Sequence, residues 1–448
     1  MKTCCKRLES KSGGVYEGTL SGPAKKIISG VKAVNLDFQV MVLNENSARF
    51  SLNDLVFELI IDQWSPLLEI TFNYGFMATM KAVTQVIFTQ LQPYPALYFL
   101  PLQQHPLQSP WHYGTPKRMV KDFWENRGPF LNLGWPQDTI ALEEEIINDE
   151  QFLYLCNQVF LQRQQIFRSL IESYEEGILA CVFDSLDRVQ HMFWKNRPDI
   201  IEAWYLKMDK LAGRITNQLY AKQGGESVRL VFLSDHGFKD YDYMVNVNRW
   251  LIEEGFLHVK DGVRSRNLSG VNWEKTQAYA VGLNSLYLNL VCREGRGSVT
   301  PAKKRKTLED IRLSLYQWVG PDGGKVVQGV LFNEEAFEGP LGKYGPDLVI
   351  GYVPRYRASP ETGLGSWGEQ PIENNHNHWG ADHCMDAKAV PGVIFSNDGL
   401  KDYPDPSYKD IPNMTIGKEL DIDHSEKPIL SSEDQEEINE RLKGLGYF

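Results

Sequence analysis

Asp187 and His191 stand four residues apart in the run from Ala180 to Trp194. On a helical turn that spacing projects both side chains from one face. A carboxylate beside an imidazole is a natural grip for a divalent metal ion. The apolar residues just before them read as a buried strand that runs out into a loop or helix start. Asp184, at that junction, reads as a cap or an outer group rather than a ligand. A second apolar strand, Val228 to Leu233, leads through Ser234 into Asp235-His236-Gly237. A third cluster, Asn374 to His383, holds His376, His378 and His383 and precedes the apolar run Val390 to Phe395.

Asp187, His191 and one histidine of the late cluster make a three-ligand N/O site with an open position, the pattern of a catalytic metal. Asp235 and His236 supply half of a second site. Two metals about 4 Å apart clamp the attacking and leaving oxygens of a phosphoryl group. Each piece alone has a plainer reading: a surface pair on a helix, a hydrogen-bonded strand end, a solvated histidine loop. Three such pieces, each beside a strand, favour a metal centre at the carboxyl edge of a sheet, where open α/β folds place their chemistry.

The elements that must position these residues are legible in outline. Phe38 to Leu43 and Leu68 to Phe72 alternate as strands. The proline-rich stretch from Leu102 to Thr115 reads as a loop or linker. Leu142 to Ser173 turns helical and ends near Glu176-Gly177. Then follow a strand at Ile178 to Phe183, a helix at Asp199 to Lys222 closed by Gly224-Gly225, and the strand Val228 to Leu233. Further strands are predicted at Leu286 to Val291, Asp347 to Val353 and Val390 to Phe395, with helices at Thr307 to Val319 and Ser431 to Leu445. Apolar strands separated by a helix predict an α/β fold with a mostly parallel sheet covered on both faces. The expected division is a β-rich, irregular peripheral region at 1–116 and a metal-binding domain at 117–448.

The bulk properties exclude several classes. The 448 residues are 42% hydrophobic and 23% charged, ordinary for a globular chain of one large or a few average domains. A net charge of −11 speaks against nonspecific nucleic-acid binding. No apolar run reaches bilayer-spanning length, and the polar residues after Met1 do not form a signal-peptide core. Six cysteines without a CxxC pair or framework spacing fit a reducing, cytoplasmic setting.

Phe183 to Trp194, Leu233 to Phe238, Trp379 to His383 with Val390-Pro391-Gly392, and the ending Arg441 to Tyr447 together resemble the alkaline phosphatase superfamily. The resemblance is to its type I phosphodiesterase/nucleotide pyrophosphatase branch, and it extends through Trp64-Ser65, Tyr98 to Pro101 and Val271 to Asn289. It implies an alkaline-phosphatase-like core and a phosphate ester, diester or pyrophosphate as small-molecule substrate. It also implies two divalent ions, zinc or alternatively manganese. By position, Asp187, His191 and His383 match the ligands of one metal, with His376 and His378 as alternatives to His383. Asp235 and His236 match part of the other.

The chain departs from the family pattern in one respect. No apolar strand ending in an Asp and followed by a Thr or Ser nucleophile precedes Asp187. Thr19 and Ser21 are loop residues without the expected partner. The expectation is therefore an α/β core lacking its amino-terminal part, with one complete metal site and one incomplete one. Two functions follow: a metal-dependent phosphoesterase, or a non-catalytic fragment, pseudoenzyme or half of a split enzyme whose separate amino-terminal chain supplies the nucleophile.

Overall fold

The computed structural model describes residues 4–27, 30–75, 79–108, 113–131, 136–223, 228–397 and 399–416. The expected helix Ser431 to Leu445, the Arg441 to Tyr447 ending and the Gly224-Gly225 stop lie outside them. The chain is mixed α/β and forms two compact units. One comprises Met1–Val228 with Asn377–Ala381, the other Arg229–His376 with Asp382–Phe448.

The first unit begins with antiparallel sheets. Glu9–Ser10, Val15–Ile27, Gly30–Val42, Ser47–Leu52 and Leu55–Ile60 form a five-stranded meander in chain order. Asn53-Asp54 turns the chain between its last two strands, with Asn53 at φ +50°, a conformation that asparagine tolerates better than most residues. Leu68–Asn73 shows the cleanest period of two, with every other residue buried. The inward faces of these strands, with those of Val86–Gln90 and Ala96–Phe99, meet in a core of Phe38, Phe50, Phe72, Phe88 and Phe99. Phe50 sits centrally, its ring 5.5 Å from Phe38, 5.3 Å from Phe57 and 6.0 Å from Phe99.

Helices then take over. They are α1 (Lys117–Arg127), α2 (Thr139–Glu143), α3 (Asp149–Ser173), α4 (Ser185–Phe193) and α5 (Pro198–Gln223). The single helix expected from Leu142 is interrupted. Glu145 takes a left-handed conformation, and Asn148 and Gln151 then form a reciprocal capping box that starts α3 afresh. One stripe of α3, including Phe152, Leu155, Val159 and Ile171, is buried at helical spacing. The sheets are tied to these helices by side chains. The Trp64 indole donates to the Gln151 carbonyl (3.0 Å), the Gln151 amide donates to Asp62 (2.8 Å), and the Tyr98 hydroxyl donates to Asp138, the N-cap of α2.

In the second unit, Ala278–Ala280, Ser285–Leu288, Leu348–Tyr352 and Val327–Phe332 make an antiparallel sheet packed by α7 (Pro301–Gln317). Short α6 (Val247–Glu253) lies against the same core. Lys239–Val245 pairs parallel with Arg355–Ala358 and antiparallel with Ile372–Asn374. Val231–Leu233 pairs antiparallel with Ile394–Ser396.

The expected mostly parallel sheet is therefore corrected. Among the pairings given above, Lys239–Val245 with Arg355–Ala358 is parallel and the others are antiparallel. Short turns account for much of this, because they can join only antiparallel neighbours, whereas parallel ones need long crossovers. A second correction concerns Ile178 to Phe183, which forms no strand. The segment has no ladder among the described residues, and Ile178 and Val182 are 65% and 76% exposed. Periodicity identified an apolar run but could not supply it with a neighbour.

Truncating the central phenylalanine, Phe50→Ala, should destabilise the first unit by about 3–5 kcal/mol. Urea denaturation followed by fluorescence would measure the loss.

Candidate metal centre

Helix α4 carries the first pair. Asp187 lies in its first turn and His191 in its last, the placement favoured by the helix dipole. The i,i+4 spacing brings His191 Nε2 to 3.6 Å from Asp187 Oδ1, as the sequence predicted. Arg188 pairs with Oδ2 of the same carboxylate, so Oδ1 is the oxygen turned toward the imidazole. Arg188 also lies 3.8 Å from Asp184, which Arg163 holds on its other oxygen. Asp184 makes no capping hydrogen bond and acts instead as the anchor of this ion-pair group.

His191 is 2% exposed, and its other ring nitrogen is committed. Nδ1 lies 2.9 Å from the Ala381 carbonyl, and a carbonyl can only accept, so Nδ1 carries the proton. That turns Nε2, the nitrogen a metal would use, toward Asp187. The Trp379 ring covers the imidazole at 4.0 Å, and Gly380 N donates to the His191 carbonyl (3.1 Å).

The second unit carries the other pair. Asp235 and His236 follow Val231–Leu233 on a loop held by backbone contacts to the Val390-Pro391-Gly392 segment. Ser234 N donates to Val393 O (2.9 Å), Val393 N donates to Ser234 Oγ (3.0 Å), and Gly237 N donates to Val390 O (2.9 Å). The approach is close enough to require glycine on both sides. A Cβ on Gly392 would meet Ser234 O at 2.3 Å, and one on Gly237 would meet Pro391 O at 2.7 Å. His236 repeats the logic of His191. Its Nδ1 donates to Gly237 O (3.1 Å), and its Nε2 lies 3.6 Å from Asp235 Oδ1.

His383 joins this loop, its ring stacked on His236 at 3.6 Å and 13°, with Phe238 edge-on to both. Burial holds its imidazole below the ordinary histidine range. Asp382 pulls the other way, and His236 adds to the depression. The neutral ring so favoured is the form that binds metal. Asp382, His383 and Cys384 bring potential ligand atoms within 4.8 Å of one another, yet the carboxylate is already engaged. Its Oδ2 accepts from Arg357 (2.8 Å) and its Oδ1 from the backbone N–H groups of His383 and Cys384 (2.7 and 2.9 Å). Asp382 shapes the turn that presents His383.

The donor chemistry suits a divalent ion. Each Asp–His pair is too far apart for a hydrogen bond at 3.6 Å. Two ligands on one tetrahedral zinc lie about 3.4 Å apart, from bond lengths near 2.0–2.2 Å. Both imidazoles also donate Nδ1–H to a carbonyl, the usual outer support of a metal-binding histidine. His105 provides the contrast: its Nδ1 accepts from Leu107 N and its Nε2 meets Glu69, so both nitrogens are spent on structure.

The alternatives to His383 are placed differently. His376 is exposed. His378 turns edge-on to Phe193 and lies 3.8 Å from Asp149. Thr19 and Ser21 lie on the paired strand Val15–Ile27, not in a loop, and the Thr19 hydroxyl donates to Asp37 (2.9 Å). Sequence reasoning missed Glu143, Arg188, Arg357 and Trp379. Only the Trp-Gly and Asp-His neighbours of the late histidines hinted at them.

The family model for Type I phosphodiesterase / nucleotide pyrophosphatase matches residues 101–352, more than half of the chain. No curated protein and no solved structure matches.

The Arg357–Asp382 pair is buried on both sides, with side-chain exposures of 9% and 1%. Asp382→Ala should therefore cost about 3–5 kcal/mol, because it strands a buried guanidinium. Chemical denaturation in the presence of a chelator would measure this apart from any metal effect.

Proposed function

Because the chain belongs to the type I phosphodiesterase/nucleotide pyrophosphatase family, we propose that it is a metal-dependent hydrolase of a phosphate ester, diester or pyrophosphate. The observation that carries this reading is the pair of matched Asp–His motifs. Each sets an imidazole Nε2 at 3.6 Å from a carboxylate oxygen and has its Nδ1 tied to a backbone carbonyl. In this reading Asp187, His191 and His383 hold one ion, and Asp235 and His236 contribute to a second. The ring stack of His383 on His236 favours it over His376 and His378 as the late ligand.

Bound there, divalent cations such as zinc or manganese would offset the charge that grows on the phosphoryl oxygens. The chain's own residues prepare for this. Asp187 and Asp235 bring negative charge to the two sites. His191 and His236 each turn Nε2 toward a carboxylate while Nδ1 lies on a backbone carbonyl, and Arg188 orients the Asp187 carboxylate through its second oxygen. Neither Thr19 nor Ser21 is the nucleophile in this reading, since both are placed on a paired strand.

Among the described residues no helix is long and apolar enough to cross a membrane. A cytoplasmic setting is proposed only on the sequence, whose six cysteines show no CxxC pair or framework spacing.

A second reading has a specific observation in its favour. The apolar segment Ile178 to Phe183, leading directly into α4, is mostly exposed and has no ladder partner among the described residues. Such runs are normally buried between neighbouring strands. In this reading the chain is the metal-binding portion of a two-chain enzyme, and a separate amino-terminal chain brings the strand and the nucleophile.

Bound metal and hydrolysis of bis(4-nitrophenyl) phosphate, measured with the full chain, separate the two. The hydrolase reading expects turnover that falls by more than about 100-fold in His191→Ala, beyond the usual cost of losing an outer-shell partner. Bound metal without turnover, with activity restored by a second protein encoded upstream, supports the two-chain reading. No bound metal and no turnover would overturn both.

A further inference from the structure

We propose that Glu143 is a positioning residue for His191, resting on the reading of His191 as a metal ligand. Glu143 ends α2, and its carboxylate accepts from two successive backbone amides, Oε1 from His378 N (2.9 Å) and Oε2 from Trp379 N (3.0 Å). An ionised acceptor on two N–H groups makes stronger hydrogen bonds than a neutral one. The gripped segment is the one that closes over α4. Within four residues it places the Trp379 ring on the His191 imidazole, Gly380 N on the His191 carbonyl and Ala381 O on Nδ1.

Glu143 is itself rigidly mounted. Ala141 and Leu142 beside it are buried, Asp138 caps the helix by accepting from Ala141 N (2.9 Å), and the Asn148 capping box begins α3 five residues later. Asn377 and His378 are exposed, so without the carboxylate their end of the segment faces water. The Trp379 and Ala381 contacts then lose their anchor. A freed imidazole can flip its ring or move its proton to Nε2, and either change removes the lone pair that faces Asp187.

The test uses the full-length wild type with Glu143→Ala and Glu143→Gln. The Gln side chain keeps one acceptor oxygen and guards against a misfolded Ala variant. Long-range ¹H–¹⁵N spectra of the metal-free protein, with His191→Ala identifying the signal, report the His191 tautomer. Zinc competition against a chromophoric chelator reports the binding lost in His191→Ala.

The wild type should show a single Nδ1–H tautomer. Both Glu143 variants should show tautomer exchange and zinc binding weakened by about 10–100-fold, with Gln the milder. A merely stabilising Glu143 would lower the metal-free Tm and leave both readouts in place. An unchanged His191 signal, or a zinc Kd within about twofold of wild type, would overturn the proposal. A wild type that binds no zinc would defeat the metal reading itself, and the His191 signal would still decide the role of Glu143.

Discussion

The hydrogen bond from His191 Nδ1 to the Ala381 carbonyl is the contact on which the first half of the centre depends. It decides which ring nitrogen is protonated, and so which one can accept a metal. The two partners are 190 residues apart in the chain. Everything around them serves to keep that distance short. Helix α4 is packed between α3 and α5, with Phe152 on Phe193 and Phe160 on Phe183 and Trp204. The β-rich region in turn holds α2 and α3 through Trp64, Tyr98 and Gln151. Sheets whose sequence carries no catalytic signal are thus part of the support for the imidazole.

The second unit solves the same problem with backbone rather than side chains. Asp235 and His236 sit on a loop that approaches Val390 to Val393 so closely that glycine is needed at Gly237 and Gly392. The Ser-Asp-His-Gly and Val-Pro-Gly motifs are two faces of that one contact. His236 needs no distant carbonyl, since that of Gly237 lies next to it. Arg357 and Asp382 add a buried charge pair beneath His383, where removing either partner would expose the other to desolvation without compensation.

How much of this was legible in the sequence can be judged residue by residue. The i,i+4 geometry of Asp187 and His191, helix α5 and the strand Leu68–Asn73 followed from local periodicity, and local periodicity is preserved on folding. Boundaries shifted where a side chain intervened, as at Asn148, whose cap divides the expected Leu142–Ser173 helix. Strand direction was misjudged because an apolar run looks alike in parallel and antiparallel sheets. Ile178 to Phe183 was misjudged for a related reason: hydrophobicity states a need for a neighbour without naming one.

The sequence by itself determined the Asp and His residues of the candidate centre, their spacing and the family, because motif residues and helical repeats are local quantities. Only the tertiary structure decided the carbonyl partners of His191 and His236, the pairing of Asp382 with Arg357, and the two backbone amides that Glu143 accepts. Each of these turns on a hydrogen-bond partner chosen by folding. A ring nitrogen or a carboxylate oxygen is a ligand or a structural group according to what already occupies its lone pair. For most of these groups, that occupant comes from far along the chain.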